Sequence, residues 1–479
     1  MKRQNNIRNF GFRDKLGYLL GDFGNDFTFI LSTMILTKFY TDVMGVSAAA
    51  VGTIMMLSRF ADAVTDVSMG RICDRGRITK AGKFKPWLLR MCIPVAIASF
   101  LMYAPGLAGN HVANWSNGVK IGYLAITYLL WGSFCYTGIN IPYGSMASAI
   151  SPDPDDRQSL STYRSMGGML AGMVIGIVLP VVAYQKVRLP DGAVKETLVG
   201  TRVAIAAAIF SVLAIICYLL CYRLITERVV ITQEKGEKQT VSKMLKAALT
   251  NRALISIIAA SVVMLLAQLT MQNMAAYIYP DYYQNATAQS ASTILMMFGM
   301  LVAAGVAKPL ASKFGKAEVS VVSNLFAGGI CVLTWVVKPA NVWAFIALQG
   351  FCWLGLGVFS MVSWALITDV IDYSELKNGV REDGSVYAMY SFARKLGQAL
   401  AAGLSGWMLT VIGYNSTAAQ EGIPQTAHVL DGIFNISTLL PALGFVLLGL
   451  ILWFWYPLHK KQVDDNVAKL NKKHQGETS

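Results

Sequence analysis

The chain has 479 residues, of which 54% are hydrophobic and only 14% are charged. A soluble chain normally carries about a quarter charged residues, so the composition excludes an ordinary water-soluble globular protein and indicates lipid around much of the surface. A net charge of +14 would suggest nucleic acid binding in a soluble protein, but in a membrane chain the charges must first be placed relative to the bilayer. The seven cysteines form no CxxC or Cys/His cluster, which argues against a disulfide framework and against a metal site of that kind.

Apolar stretches long enough to cross a bilayer recur along the whole chain, since about 20 apolar residues at helical rise span the hydrocarbon core. Runs of this length favour helices, which satisfy their own backbone groups in lipid. The basic, polar first fifteen residues do not resemble a signal peptide. The sequence predicts an all-α membrane protein with twelve transmembrane helices, at about residues 17–41, 47–72, 86–107, 121–149, 160–184, 201–223, 253–279, 289–311, 318–337, 342–372, 386–412 and 431–457.

The distribution of basic residues predicts the orientation of these spans. Of the 41 Lys and Arg residues, 30 lie in the segments on the side of the amino terminus or at the adjoining span ends, 7 lie in the segments or span ends of the opposite side, and 4 lie in the interior of spans. Basic residues accumulate in cytoplasmic loops, so both termini are predicted to be cytoplasmic. The positive charge is thereby explained as a topology signal, and no nucleic acid partner is expected.

The longest predicted cytoplasmic connection divides the spans six and six. The two halves contain weakly similar segments, YTDVMGVSAAAVGTIMML in the first and YPDYYQNATAQSASTILMM in the second. Two related six-helix halves are typical of transporters that work by alternating access. The predicted organisation is an N-terminal half at 1–223, a central loop at 224–252, a C-terminal half at 253–457 and a cytoplasmic tail at 458–479.

Carboxylates at predicted membrane depth are the first functional signal. In the first span Asp22 and Asp26 lie four residues apart, and in the second span Asp62 and Asp66 repeat that spacing, with Arg59 nearby. A charge at this depth costs at least about 2.5–3.5 kcal/mol, so such residues tend to face the bundle interior and to be functional. Two carboxylates one turn apart repel, so they take up a proton or hold a cation, as a coupling site must. The alternative is a salt-bridge network that only joins helices.

Basic side chains at the same depth are the second signal. They are Arg164 in the fifth span and the adjacent Arg394 and Lys395 in the eleventh. Neighbouring residues on a helix point about 100° apart, so one member of the pair could bind substrate while the other packs or pairs with an acid. The alternative, for Arg164 and Lys395, is snorkelling of a long side chain to the interface.

Polar and aromatic residues near these charges could form a sugar site, since sugars offer hydroxyls to polar groups and CH faces to rings. The alternative for each is packing or anchoring at the interface. No histidine lies in a predicted span, so carboxylates would carry any coupled proton. The candidates are Tyr136, Thr137, Asn140, Tyr143, Trp364 and Tyr390.

Several long motifs give the chain a resemblance to a known family. They are GYLLGDFGNDF, FYTDVMG, RFADAVTD, GKFKPW, INIPYGS and TDVIDYSELKNGVREDGSVYAMYSFARKLGQALA. In these the chain resembles, from about residue 12 to residue 457, the glycoside–pentoside–hexuronide:cation symporters, a branch of the major facilitator superfamily. The resemblance implies a major facilitator fold with two six-helix halves, alternating access, a sugar substrate, a coupling cation and no cofactor.

The resemblance also implies roles for residues that match the family's motifs. Asp62 and Asp66, assisted by Thr137, look like the cation-binding carboxylates. The residues that look like sugar-site charges are Asp26, Arg164 and Lys395.

Departures from the melibiose-permease pattern bear on the substrate and the cation. Asn140 and Gly144 stand where that permease has a sugar-binding aspartate and a tryptophan, so its galactoside site is not carried over. Thr65 replaces an asparagine that helps to hold sodium, which favours the proton and leaves sodium as an alternative at Asp62 and Asp66.

The SFARK segment is more similar to glucuronide carriers and sulfosugar permeases. Losing an acid at Asn140 and gaining a guanidinium at Arg394 makes the cavity more positive, and arginine matches a carboxylate or sulfonate bidentately. The predicted substrate is therefore an anionic sugar or glycoside, such as a hexuronide or sulfosugar. A neutral glycoside or pentoside with sodium or proton is the first alternative.

Gating is expected at two further places. The stretch from Gly70 to Arg75, with Asp74, resembles the facilitator loop motif that latches one conformation. Asp369 and Asp372 in the tenth span are its expected counterpart in the second half.

Other classes of function fit less well. A lysolipid-like anion transporter would use the same basic residues but predicts an apolar cavity. A membrane enzyme needs a nucleophile-base pair or a metal cluster, and neither pattern is found in the sequence. A passive channel does not need paired buried carboxylates. The expected location is the bacterial cytoplasmic membrane, with the bilayer, a small-molecule sugar and a cation as partners.

Overall fold

The computed structural model describes residues 8–76, 78–79, 81–188, 194–229, 251–378 and 383–476, and these residues are helical nearly throughout. This confirms the predicted all-α architecture. The helices are α1 (Phe12–Asp42), α2 (Ala48–Arg75), α3 (Lys85–Leu101), α4 (Asn117–Leu129), α5 (Thr137–Ile150), α6 (Pro154–Ala183), α7 (Gly200–Leu224), α8 (Arg252–Tyr277), α9 (Thr287–Phe314), α10 (Lys316–Val337), α11 (Val342–Asn378), α12 (Asp383–Val411), α13 (Ser416–Gln420), α14 (Ala427–Leu450) and α15 (Lys460–Gly476). A 3₁₀ segment covers Ala104–Asn114, and π-helical segments cover Leu130–Tyr136, Ile278–Tyr282 and Ile451–Trp455.

Within the described residues, nine helical segments are long and apolar enough to cross a membrane. They are Ala48–Cys73, Asn117–Ile150, Pro154–Ala183, Gly200–Leu224, Arg252–Tyr282, Thr287–Phe314, Lys316–Val337, Val342–Lys377 and Ala427–Trp455. The other three predicted spans coincide with α1, α3 and α12, so their helical state is confirmed and their membrane crossing stays a prediction. Of the predicted central loop, residues 230–250 lie outside the described residues.

The chain divides into two compact units. Unit 1 comprises Met1–Lys235, Gln284–Ser290 and Gly406–Val429. In it α1 packs along α6 and α7, α3 packs along α7, and α2 packs against α5 and the π-helical segment before it. A Cβ on Gly24 of α1 would lie 3.1 Å from the Cβ of Cys217, so α1 and α7 approach closely because glycine presents no side chain there.

A β-hairpin in unit 1 was not anticipated from the sequence. Strands β1 (Tyr184–Arg188) and β2 (Val194–Leu198) pair antiparallel between α6 and α7. The buried carboxylate of Glu196 accepts a hydrogen bond from the backbone N–H of Ala286, which ties residues 284–290 to this hairpin. Burial raises the pKa of that carboxyl, against the opposing effects of the Ala286 N–H and of Lys186.

Unit 2 comprises Gly236–Tyr283, Ala291–Ser405 and Leu430–Ser479. Helices α10 and α11 pack along each other. One buried apolar cluster, which includes Phe359, Leu366 and Phe445, holds unit 2 together. All seven cysteines are buried and free, as expected for small apolar residues.

Candidate functional site

The paired carboxylates of α2 form the first cluster in unit 1. Asp62 accepts a hydrogen bond of 2.6 Å from the Ser133 hydroxyl, and Asp66 accepts one of 2.8 Å from Thr137. In both pairs the residues are four apart, so two matched contacts join one face of α2 to one face of the neighbouring helix. The structure thus brings together the three residues predicted to bind the cation.

Ser133 was missed in the sequence analysis. It lies one turn before Thr137, at the spacing that separates the two carboxylates, and this periodicity could have identified it. Both hydroxyls flank the end of the π-helical segment Leu130–Tyr136, and π-helical turns are frequent at functional sites. Gly132 in the same segment leaves room for the first carboxylate, because a Cβ there would lie 3.3 Å from Asp62 Oδ1.

Two other residues of α2, Arg59 and Thr65, adjoin this pair. The Arg59 guanidinium lies 3.4 Å from Asp62 Oδ2 and 5.0 Å from the centre of the Phe29 ring. The Thr65 hydroxyl donates to the backbone carbonyls of Ala61 and Asp62, within its own helix. The hydroxyl hydrogen of Thr65 is therefore engaged by the helix backbone.

A second cluster in unit 1 joins α1 to α6. Arg164 donates a hydrogen bond of 3.0 Å from Nε to Asp22 Oδ1, and its guanidinium lies 5.3 Å from the centre of the Tyr143 ring. Asp26, one turn after Asp22, makes no hydrogen bond or ion pair with a described residue. Of these residues, Arg164 is the most open, with 38% of its side chain exposed.

Two more predicted substrate residues lie beside this cluster. The Tyr136 ring stacks on Phe29 at 5.6 Å. The Oδ1 atom of Asn140 is buried and has no hydrogen-bond partner among the described residues. Gly144, one turn further along α5, would place a Cβ only 3.5 Å from Arg164 Nη1. Because Gly144 has no side chain, that edge of the guanidinium stays open.

Unit 2 holds the remaining predicted substrate residues on α11 and α12. The Trp364 and Tyr390 rings meet edge to face at 5.1 Å, and the Arg394 guanidinium lies 5.9 Å from the centre of each ring. The Tyr390 hydroxyl is buried without a hydrogen-bond partner among the described residues. Arg394 forms no ion pair with any residue that the structure describes. Lys395, the next residue, is exposed.

The predicted gating residues differ in their surroundings. The largely buried Asp369 accepts a hydrogen bond of 2.6 Å from Lys316 Nζ, which links the start of α10 to α11. Asp372 is half-buried one turn away. Gly70 has open space around it and Arg75 is exposed at the end of α2, while the Asp74 side chain lies outside the described residues. Their role in gating stays a prediction.

The sequence of the chain is similar to those of known transporters. The profile of the family described as MFS/sugar transport protein matches residues 17–460. The uncharacterized symporter YjmB of Bacillus subtilis (strain 168) is 30% identical, with 97% of this chain and 96% of that protein covered. In Escherichia coli (strain K12), a glucuronide carrier protein homolog is 29% identical, with 96% and 95% covered. A putative sulfoquinovose importer of the same organism is also 29% identical, with 96% and 94% covered.

Solved structures show the same fold at low sequence identity. A D-xylose–proton symporter is similar with a TM-score of 0.60 and 15% identity, over 93% of this chain and 98% of that one. A bacterial homolog of the human lysosomal transporter Spinster, in an inward-facing and unoccupied conformation, gives a TM-score of 0.64 and 12% identity, over 94% and 97%.

Proposed function

The chain belongs to the MFS/sugar transport protein family, and from that premise we propose that it is a symporter that carries an anionic sugar together with a proton. It is a membrane sugar transporter and not an enzyme, and its fold is the predicted major facilitator fold. The predicted branch, the glycoside–pentoside–hexuronide:cation symporters, is confirmed by its relatives.

The proposal of an acidic substrate rests on one observation, the position of the Arg394 guanidinium beside the Trp364 and Tyr390 rings. This guanidinium lies 5.9 Å from the ring centres of both Trp364 and Tyr390, and it forms no ion pair with a described acid. A half-buried guanidinium without an acidic partner costs free energy. An anionic ligand would compensate the charge of Arg394. Arginine binds a carboxylate or sulfonate bidentately, and Trp364, with 45% of its surface exposed, lies beside this guanidinium.

The named cargo of two relatives supports the same substrate class. One relative is named for a glucuronide and another for sulfoquinovose, which are a carboxylate sugar and a sulfonate sugar. Both present a planar or trigonal array of anionic oxygens that suits a guanidinium. We therefore extend to this chain a hexuronide, its glycoside or a sulfosugar as substrate.

The α2 carboxylate pair is the proposed coupling site. Each carboxylate already receives a hydroxyl donor, which tolerates either a charged or a protonated acid. At position 65 a threonine, whose hydroxyl donates to its own helix backbone, stands in place of the sodium-holding asparagine that the family resemblance implies. These features favour a proton. The excess of basic residues on one side further supports a cytoplasmic-membrane location with both termini inside.

The test reconstitutes the protein in liposomes and records the pH change when a sugar is added, with and without sodium. Methyl β-D-glucuronide, sulfoquinovose and methyl β-D-galactoside are offered in turn. We expect proton movement with the acidic sugars and no sodium requirement. Transport of the neutral galactoside alone would contradict the substrate class, and a strict sodium requirement would contradict the coupling ion.

Arg394→Lys and Arg394→Gln test the anion contact directly. Lysine keeps the charge but not the bidentate geometry, so affinity for an acidic sugar should fall in both variants and furthest in glutamine. Loss of a hydrogen-bonded charge pair costs about 2–5 kcal/mol in binding, which is at least about a thirtyfold rise in the dissociation constant. Arg223→Gln, which changes an exposed arginine at the end of α7, is the matched control.

A further inference from the structure

At two adjacent glycines of α6, no side chain covers the backbone that faces α1. A Cβ on Gly167 would lie closer than 3.0 Å to the backbone oxygen of Leu19, and a Cβ on Gly168 would lie closer than 3.0 Å to Asp26 Oδ2. The same point beside Gly168 is 3.3 Å from Asp22 Oδ2. Both carboxylates therefore lie against one spot on α6 where any other residue would displace them.

The charges at this spot do not balance within unit 1. Arg164 lies one turn before Gly168 and forms its ion pair with Asp22. Asp26 has no hydrogen bond or ion pair with a described residue, and Asp22 and Arg164 are the charged groups that act on it most strongly. The other titratable groups that face it are Tyr136 beside α5 and Tyr218 on α7, and neither is a cation. Two carboxylates thus share one guanidinium.

Two neighbouring residues on α5 leave space and a polar atom beside this guanidinium. Its edge toward α5 is open because Gly144 lacks a side chain. On the same face of α5, the buried Asn140 Oδ1 has no hydrogen-bond partner among the described residues and is a ready acceptor for a sugar hydroxyl. An acidic sugar whose hydroxyls bind at this place would bring a further negative charge toward Asp22 and Asp26, and like charges disfavour ionisation of one of them.

We propose that Asp26 takes up a proton when an acidic sugar binds at Arg164, so that the substrate site carries a proton separate from the carboxylate pair of α2. The proton comes from water on the side where the sugar enters, and it is released to water on the side where the sugar leaves. While bound, it converts Asp26 from an acceptor into a donor toward the sugar. Gly168 is the positioning residue, since it keeps the two carboxylates side by side. The proposal rests on the proposed function, because an anionic substrate is what requires this proton.

The experiment measures the affinity of the purified full-length protein for methyl β-D-glucuronide and sulfoquinovose from about pH 6 to about pH 9. Wild-type affinity is expected to fall about tenfold per pH unit once Asp26 titrates. Asp26→Asn, whose amide mimics the neutral acid, should bind as the wild type does at low pH and lose most of the pH dependence. Asp66→Asn should keep the wild-type pH dependence of binding although its uptake is impaired. An Asp26→Asn protein that keeps the wild-type slope, or that binds neither sugar at any pH, overturns the inference.

Two further measurements test the inference if the Asp26→Asn variant does not fold. Calorimetry of the wild type in buffers of different ionisation enthalpy should show proton uptake with an acidic sugar at high pH and none with methyl β-D-galactoside. Absence of that uptake overturns the inference. Gly168→Ala should weaken acidic-sugar binding about tenfold, while Gly122→Ala on α4, where a Cβ meets nothing within 4 Å, should not.

The binding measurements distinguish a wrong substrate class from a wrong role for Asp26. A wild type that binds neutral glycosides but neither acidic sugar refutes the proposed function and this inference with it. A wild type that binds acidic sugars with an affinity independent of pH refutes this inference alone.

Discussion

The fully buried Asp14 at the start of α1 organises one end of unit 1. Its carboxylate accepts hydrogen bonds from Arg8 Nη2 at 2.7 Å and from Arg228 Nη2 at 2.8 Å. It also accepts from the backbone N–H groups of Gly11 at 3.2 Å and Thr226 at 3.1 Å. One side chain thereby holds the segment before α1 and the segment after α7, so we expect Asp14→Asn to destabilise the protein.

The size of the effect follows from what the substitution leaves behind. Asparagine keeps the shape and one acceptor oxygen but removes the charge, so Arg228, only 13% exposed, loses its counter-ion. Breaking a buried pair in this way costs about 3–5 kcal/mol. Arg8 is 35% exposed and regains water, so its share is small. We therefore expect the lower end of that range, about 3 kcal/mol.

The assay is thermal unfolding of the purified protein in detergent, with Asp464→Asn as the control because Asp464 is an exposed aspartate in α15. Asp14→Asn should lower the unfolding midpoint clearly, and the control should leave it close to the wild-type value. Arg228→Gln combined with Asp14→Asn should cost less than the sum of the two single changes, since the partners interact directly. Equal midpoints for Asp14→Asn and the control, or strict additivity, would refute this reasoning.

Two other predictions concern coupling and local stability. Asp66→Asn should abolish concentrative uptake while substrate binding persists, because the coupling carboxylate is lost, and unimpaired accumulation in proteoliposomes with a proton gradient would refute its role. Glu227 accepts hydrogen bonds from the backbone N–H groups of residues 83–85 at the start of α3, where Phe84 provides no side-chain cap. Glu227→Ala should therefore cost about 0.5–2 kcal/mol and speed hydrogen exchange at residues 83–85, with Glu227→Gln intermediate. Unchanged exchange there would show that α3 does not need this cap.

The parts of the site that the sequence predicted are those governed by helical periodicity. The spacing of Asp62 and Asp66 predicted a shared face, and the structure places both on one side of α2 with hydroxyl partners from the next helix. The same rule predicted that Arg394 and Lys395 could not share one environment. In the structure the first lies on aromatic rings and the second is exposed. Periodicity is a local property of the chain, so a single sequence is enough to read it.

The parts that were missed depend on contacts between distant segments. Gly168 and Asp26 lie on helices far apart in sequence, and no local pattern shows that a glycine on one leaves space for an acid on the other. Glu227 caps a helix that begins 142 residues earlier, although a cap is usually sought beside the helix it serves. The hairpin at 184–198 follows an apolar run whose length already predicted a helix, and its short polar strands carry little periodic signal.

The ion pairs of the two units suggest different tasks for their arginines. In unit 1, Arg59 and Arg164 are each held by an aspartate, so their positive charge is already compensated and protonation of the nearby acids decides the net charge. In unit 2, Arg394 rests on rings with no acid among the described residues. We infer that substitutions at Arg394 change the affinity for acidic sugars but leave the number of protons carried per sugar unchanged. Substitution of Asp26 should alter that number, because it removes a group that exchanges a proton. A change of stoichiometry in Arg394→Gln would show that anion recognition and proton uptake cannot be separated in this way.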